Sequence, residues 1–255
     1  MGGSTLGARV SDGQAPIVAG SLGVLGGTFD PIHVAHLALA QEAAESLGLE
    51  RILFVPTGSP PHKPGVAITS GADRLAMVQL AIASNDRFEV SRLELDRDGP
   101  SYTVDTLEAL AASRRGDLSG VTRPSGPTAT RASGPTATRA SGPIATGEMI
   151  LILSADAFLG LVGWHEPRGV LELARLAVAP RDGYPGAGPD FLAMHFPDLA
   201  DRAVFLDGPR IRLSASVLRD RAAAGRSLRY LVPDAVAAYI GDHGLYRTPR
   251  RNELT

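Results

Sequence analysis

Residues 23–40 read GVLGGTFDPIHVAHLALA. Two glycines, an aspartate, a proline and two histidines stand between apolar runs, so one junction holds the most polar and turn-prone chemistry of the first fifty residues. Val24 and Leu25 end a buried strand, and from Leu37 the spacing predicts a helix. The same alternation continues along the chain. Apolar runs predict strands at 22–26, 51–55, 87–90, 149–153, 175–179 and 202–206. Helices are expected at 34–47, 72–84, 103–114, 155–173 in pieces, 190–195, 215–224 and 234–241. Strands alternating with helices of this length indicate crossover units. Continuously apolar strands such as ILFV and MILIL indicate helices on both faces. The expected fold is therefore α/β: a Rossmann-like open, mainly parallel sheet in a single domain, with a small C-terminal helical part.

The 255 residues, 44% hydrophobic and 20% charged, suffice for one sizeable core. A net charge of −2 gives no overall basic field, so nucleic acid is not an expected partner. The absence of cysteine excludes disulfides, thiolate zinc sites and cysteine nucleophiles. No apolar run approaches the roughly 18 residues that cross a bilayer. The first twenty residues lack the pattern of a signal peptide and are expected to be a flexible extension, which places the domain at 21–247, a tail at 248–255 and the protein in the cytoplasm. Residues 123–146 are three near-copies of an octamer, RPSGPTAT, RASGPTAT and RASGPIAT. The unit is too short for a solenoid and has nothing to bury, so 116–147 is expected to be a solvated, disordered insertion.

In open parallel sheets ligands bind beyond the carboxyl ends of the strands, where the opening junction lies. Gly26 and Gly27 are expected to let the backbone turn sharply and its N–H groups approach a ligand. Thr28 adds a hydroxyl, and Pro31 suits the first turn of a helix whose N-terminus attracts anions. His33 and His36, three apart, share one helical face and can both donate to a phosphate. Glycine turns with surface histidines are common, but the whole run describes an anion cradle. Neither a P-loop nor a GxGxxG stands after a strand. Lys63, in VPTGSPPHK at 55–63, is the only lysine of the chain.

The run GGTFDPIHVAH resembles the G-G-T-F-D-P-x-H-x-G-H signature of nucleotidyltransferases carrying an H-x-x-H pair. Within that superfamily the chain is most similar to the bacterial nicotinate-nucleotide adenylyltransferases, from about Val24 to Tyr246. The resemblance implies adenylyl transfer from ATP to nicotinate mononucleotide, giving deamido-NAD and pyrophosphate in NAD biosynthesis. It implies that His33, His36 and Arg219 meet the triphosphate, supported by Gly26, Gly27, Thr28, Phe29, Ser214 and Ser216, with Asp156 of LSADAF at the nucleotide. LSASVLRDR at 213–221 resembles I-S-S-T-x-x-R, although alone it reads as an ordinary capped helix.

Lys63 is assigned to phosphate contact in the transition state or with the mononucleotide. SYTVDTL at 101–107 resembles S-Y-T-x-x-T-L, which implies that the Thr103 backbone meets the nicotinate carboxylate; Ser101 and Thr103 also read as helix caps. Trp164 would lie against the pyridine ring with His165 beside it, or else pack in the core. Arg181 of PRDGY joins the mononucleotide group. Three positions depart from the pattern: Ala35, Ser154 and Ser216 replace Gly, Gly and Thr. Mg²⁺ is expected on the substrate phosphates, with no protein-held metal, and Asp30 is expected to fix its loop. Rival readings are a sibling enzyme acting on nicotinamide mononucleotide or phosphopantetheine, and a non-catalytic nucleotide-binding relative.

Overall fold

The computed structural model describes residues 17–59, 68–114, 121–122 and 147–247. The chain runs β1 (Leu22–Gly27), α1 (Val34–Ser46), β2 (Arg51–Pro56), α2 (Gly71–Ile82), β3 (Phe88–Ser91), α3 (Thr103–Arg114) and β4 (Val121–Thr122). It continues through β5 (Met149–Ser154), α4 (Ala155–Leu159), α5 (Pro167–Leu173), β6 (Ala174–Ala179), α6 (Pro189–His195), β7 (Ala203–Phe205), α7 (Ala215–Ala223) and α8 (Asp234–Asp242). The sheet order is β4-β3-β2-β1-β5-β6-β7. Every pairing is parallel except that of β3 with β4.

The six predicted strands are present within one or two residues of their expected bounds, and the parallel α/β fold is as expected. Strand sides alternate as the pleat requires. Leu25, Ile52, Phe54, Ile150 and Ile152 face a core completed by α1, α2, α7 and α8. Leu22, Val24, Leu53, Val55 and Leu151 face a second core under α3, α4, α5 and α6. Helix α1 seats Ala40, Ala43 and Ala44 against the first core with no exposure, a small-residue stripe at helical spacing that lets it lie close to the sheet.

Two expected boundaries need correction. Val121 and Thr122, placed in the disordered insertion, form a short antiparallel edge on β3, pairing Thr122 with Val90 and Val121 with Ser91. At the other end of the insertion Gly147 already packs on residues 20–21, where an added Cβ would come within 2.3 Å of the Ser21 nitrogen. The octamers themselves lie outside the described residues, as do 248–255. Residues 17–20, placed in the flexible extension, are held: Ile17 packs on the first core and the Val18 carbonyl accepts the Ser21 hydroxyl at 2.6 Å.

The order reverses between β2-β1 and β5-β6, so the carboxyl ends of β1 and β5 open a crevice at the switch point of the sheet. The loops after these strands carry the signature junction and the Asp156 segment.

Candidate active site

The junction after β1 turns differently from the expectation. Gly26 and Gly27 are still in β1, paired with Val55 and Pro56, and neither has a positive φ. The left-handed residue is Phe29, with φ +49°, followed by a turn through a cis Asp30–Pro31 peptide. Pro31 consequently lies before the helix rather than in its first turn, and His33 is the N-cap of α1. The glycines serve by having no Cβ. At Gly27 one would sit 2.9 Å from the Phe29 ring, whereas at Gly26 it would meet nothing within 4 Å and project into open space. Phe29 is 2% exposed, and its burial holds a backbone conformation that bulky residues avoid.

That turn delivers the two histidines as a stacked pair, ring centres 3.7 Å apart and 17° from parallel. The His33 N–H donates to His36 Nδ1 at 3.3 Å, so neutral His36 carries its proton on Nε2. The Phe29 ring stands edge-on to His36 at 5.1 Å. His33 Nδ1 is buried without a hydrogen-bond partner. Burial, reinforced by the Arg181 charge, lowers the His33 pKa to about 4. His36 lies well below its ordinary value through burial, then His33, then Arg181. Both imidazoles are thus neutral donors near pH 7.

A cleft of about 470 Å³ opens above them. Of the predicted residues, Gly26, Thr28, Phe29, His33, His36, Arg181, Ser214 and Arg219 line it. The start of α1 and the start of α7 therefore reach one cleft from two elements far apart in sequence. Ser214 is the N-cap of α7 and accepts the Val217 N–H at 3.5 Å; its hydroxyl lies 3.1 Å from that of Ser216. Arg219 donates Nη1 to the Asp30 carbonyl at 2.7 Å, which fixes the guanidinium beside the cradle. Ala35 and Ser154, two of the departures from the family pattern, also line the cleft.

Arg181, expected with the mononucleotide group, lies in the cleft with the histidine pair and donates to Asp156 Oδ2 at 2.8 Å. Burial opposes ionisation of Asp156, but bonds from Ser154 and Arg181 hold its pKa below the usual value. Asp156 Oδ1 is buried without a hydrogen-bond partner. Gly27, Asp156 and Ser216 adjoin the cleft through these neighbours rather than line it.

Thr103, Trp164 and His165 do not line it. They belong to the other face of the sheet. Thr103 opens α3. Trp164 ends a 3-10 turn over Leu161–Gly163 and packs half-buried against the second core, and the His165 ring lies on that of Tyr102 at 4.3 Å. Ser101 is not a simple cap: its hydroxyl accepts the Ser59 N–H at 3.2 Å and its own N–H donates to the Ser59 carbonyl at 3.0 Å, tying the loop after β2 to the start of α3. Lys63 lies outside the described residues.

Sequence reasoning missed four basic or phenolic groups at the site. Arg210 and Arg212 line the cleft from the segment before α7, where a basic pair in GPRIRL was the only signal. Arg74, 2% exposed, holds the Thr28 and Thr69 carbonyls, each at 2.9 Å. Tyr246 donates to Asp30 at 2.7 Å. No local pattern marks Arg74, whose second partner Thr28 is 46 positions away. YIGDHGLY at 239–246 resembles the family's usual C-terminal ending and reads as structural, but nothing in it points to Asp30, 216 positions away.

Among the described residues no group of three His, Cys, Asp or Glu could hold a metal ion. Nor is any described helix long and apolar enough to cross a membrane.

A family model described as cytidylyltransferase-like matches residues 24–221. A "Probable nicotinate-nucleotide adenylyltransferase" of Roseiflexus sp. (strain RS-1) is 42% identical over 228 residues, 89% of this chain and 98% of the relative. Another of that name, from Herpetosiphon aurantiacus, is 41% identical over 225 residues, covering 88% and 98%. Among solved structures, the nicotinic acid mononucleotide adenylyltransferase of Plasmodium falciparum complexed with NaAD aligns with a TM-score of 0.61 at 15% identity, covering 89% of this chain and 97% of that one. The same enzyme complexed with APC aligns at 0.63 and 16%, covering 89% and 96%. At these identities the solved structures speak for the fold.

Proposed function

The chain belongs to the cytidylyltransferase-like family, and from that premise we propose that it transfers the adenylyl group of ATP to nicotinate mononucleotide, forming nicotinate adenine dinucleotide and pyrophosphate in NAD biosynthesis. The observation that carries this reading is the convergence of the stacked His33–His36 pair, the open edge at Gly26 and the Ser214–Arg219 helix start on one cleft. Two helix N-termini, two neutral imidazoles and several guanidiniums make a site for a polyphosphate.

The mononucleotide phosphate oxygen attacks the α-phosphorus of ATP in line. A new P–O bond forms as the bond from the α-phosphorus to the bridging oxygen breaks, and pyrophosphate leaves with the electron pair. The attacking phosphate is already ionised, so no protein nucleophile is needed, and the protein's task is to position two polyanions and stabilise developing charge. His33 and His36 donate N–H groups to the triphosphate, and Arg219, held by the Asp30 carbonyl, supplies charge. Ser214, Ser216 and backbone N–H groups near Gly27 and Thr28 complete the cradle. Arg181, paired with Asp156, adds positive charge to the cleft beside the histidines, and Asp156 lies toward the nucleotide. Thr103, Trp164, His165 and Lys63 serve the acceptor.

Of the carboxylates at the cleft, Asp30 accepts from Tyr246 and Thr69, Asp156 accepts from Arg181 through Oδ2, and Asp182 faces Arg210 at 3.7 Å. This donor set fits Mg²⁺ arriving on the nucleotide, where the ion neutralises phosphate charge. A cytoplasmic location suits the proposed reaction, whose substrates are small phosphorylated metabolites.

The test is pyrophosphate release from ATP with nicotinate mononucleotide, its amide or phosphopantetheine as acceptor. Fastest turnover with the nicotinate form is expected. Turnover with phosphopantetheine alone, or ATP binding without release under any acceptor, would sink the proposal.

A further inference from the structure

The segment after α8 folds back on the signature loop. The chain passes through two left-handed residues, Gly244 at φ +60° and Tyr246 at φ +63°, and Leu245 and Tyr246 pack on the first core. This brings the Tyr246 hydroxyl to Asp30 Oδ1 at 2.7 Å, across 216 positions of sequence. Asp30 is 3% exposed, and its second carboxylate oxygen accepts the Thr69 N–H at 3.3 Å. Beside it the buried Arg74 guanidinium binds the Thr69 and Thr28 carbonyls. The Asp30 carbonyl in turn accepts Arg219. One buried aspartate thus joins four segments: its carboxylate ties the signature loop to the approach to α2 and to the end of the described chain, and its carbonyl ties the loop to α7.

Two bonds of this hub act on the anion cradle itself. Arg74 fixes the Thr28 carbonyl, and the Asp30 backbone anchors Arg219, whereas nothing in it touches Thr103, Trp164 or His165. A buried carboxylate that loses a donor must move or find water, and Asp30 can move only by shifting the loop on which Arg219 rests. Burial and the bond to Asp30 push the Tyr246 hydroxyl pKa up, so it remains a donor across the neutral range.

We propose that Tyr246 is a positioning residue for the triphosphate: through Asp30 its hydroxyl holds the signature loop and Arg219 in the geometry that receives ATP. This rests on the cleft being the triphosphate site, as argued above. Tyr246→Phe in the full chain keeps the ring and removes only the donor. Losing a hydrogen bond to a charged group corresponds to roughly a tenfold effect or more. KM for ATP is therefore expected to rise by about tenfold, and the Kd of a non-hydrolysable ATP analogue to weaken by the same factor. KM for nicotinate mononucleotide should stay within about twofold.

An unchanged KM for ATP and Kd for the analogue would overturn the proposal, as would equal increases in both substrates' KM, which describe a general loosening. If Tyr246→Phe does not fold, Asp30→Asn, which keeps the shape of the hub and removes its charge, is judged by the same split. Should the wild-type protein bind the analogue but transfer nothing to nicotinate mononucleotide, the proposed reaction fails while the analogue Kd still tests the tether.

Discussion

His33 and His165 stand on the two sides of the proposed site and live in different surroundings. His33 is 4% exposed and stacked on His36, while the side chain of His165 is 48% exposed and rests on Tyr102. The first belongs to a cradle tied down by Asp30, Arg74, Arg219 and Tyr246. The second belongs to a group that stands open on the opposite face of the sheet. Under the proposed reaction the contrast matches the chemistry assigned to each side. Stabilising charge that develops at phosphorus needs donors fixed beforehand in a poorly solvated place. Admitting an acceptor and releasing a dinucleotide needs an accessible surface, where stacking and a few polar contacts suffice.

The largest expected effect falls on the buried side. His36→Ala and Arg219→Ala should each lower kcat by about 10²–10³ with the fold retained, since each removes a fixed donor from the transition state. A variant of either kind that keeps more than about a tenth of wild-type turnover would break the contrast.

The cradle also writes itself into acid stability. His33 has a folded pKa of about 4, below its unfolded value of 6.5, so the unfolded chain binds more protons between these values. Its neutral burial is fully tolerated above pH 6.5, and stability is lost as pH falls toward 4, by about 3 kcal/mol in all. Urea midpoints from pH 7 to pH 4 should show a steeper decline for the wild-type protein than for His33→Asn. Parallel curves would show that the imidazole is not held neutral by its surroundings.

A smaller and different effect is expected on the open side. Trp164→Ala should raise KM for the mononucleotide up to about tenfold, with KM for ATP and kcat little changed. A fall in kcat with both KM values intact would assign Trp164 to core packing instead. Smallest of all, deleting residues 123–146 should alter kcat/KM by no more than about twofold, because a composition dominated by Ser, Gly, Pro, Thr, Ala and Arg offers little apolar surface to bury. A large loss in the folded deletion variant would bring the octamers into the site.

Local pattern made much of this legible. Six strands, the intervening helices and the two helix starts that carry His33, His36, Ser214 and Arg219 were all readable, because apolar periodicity and capping residues act within a few positions. The turn itself was misread. Gly-Gly suggested where the chain would bend, but the sheet keeps both glycines in β1, and the bend falls on Phe29 because its ring is captured by the core. The edge strand at Val121–Thr122 was invisible, since two residues have no periodicity and pair only because β3 offers an edge. Arg181 was grouped with the acceptor by its motif, yet the parallel pairing of β5 with β6 sets it against Asp156 and beside the histidines.

By itself the sequence determined the alternating α/β order, the position of the cradle at a strand end, and the residue types able to meet phosphate, because these depend on neighbours along the chain. Only the tertiary structure decided which groups share the cleft, which histidines lose their charge, and that a tyrosine at position 246 supports an aspartate at position 30. Those outcomes depend on burial and on contacts between remote segments, and desolvation is a property of the packed molecule that no short stretch of residues carries.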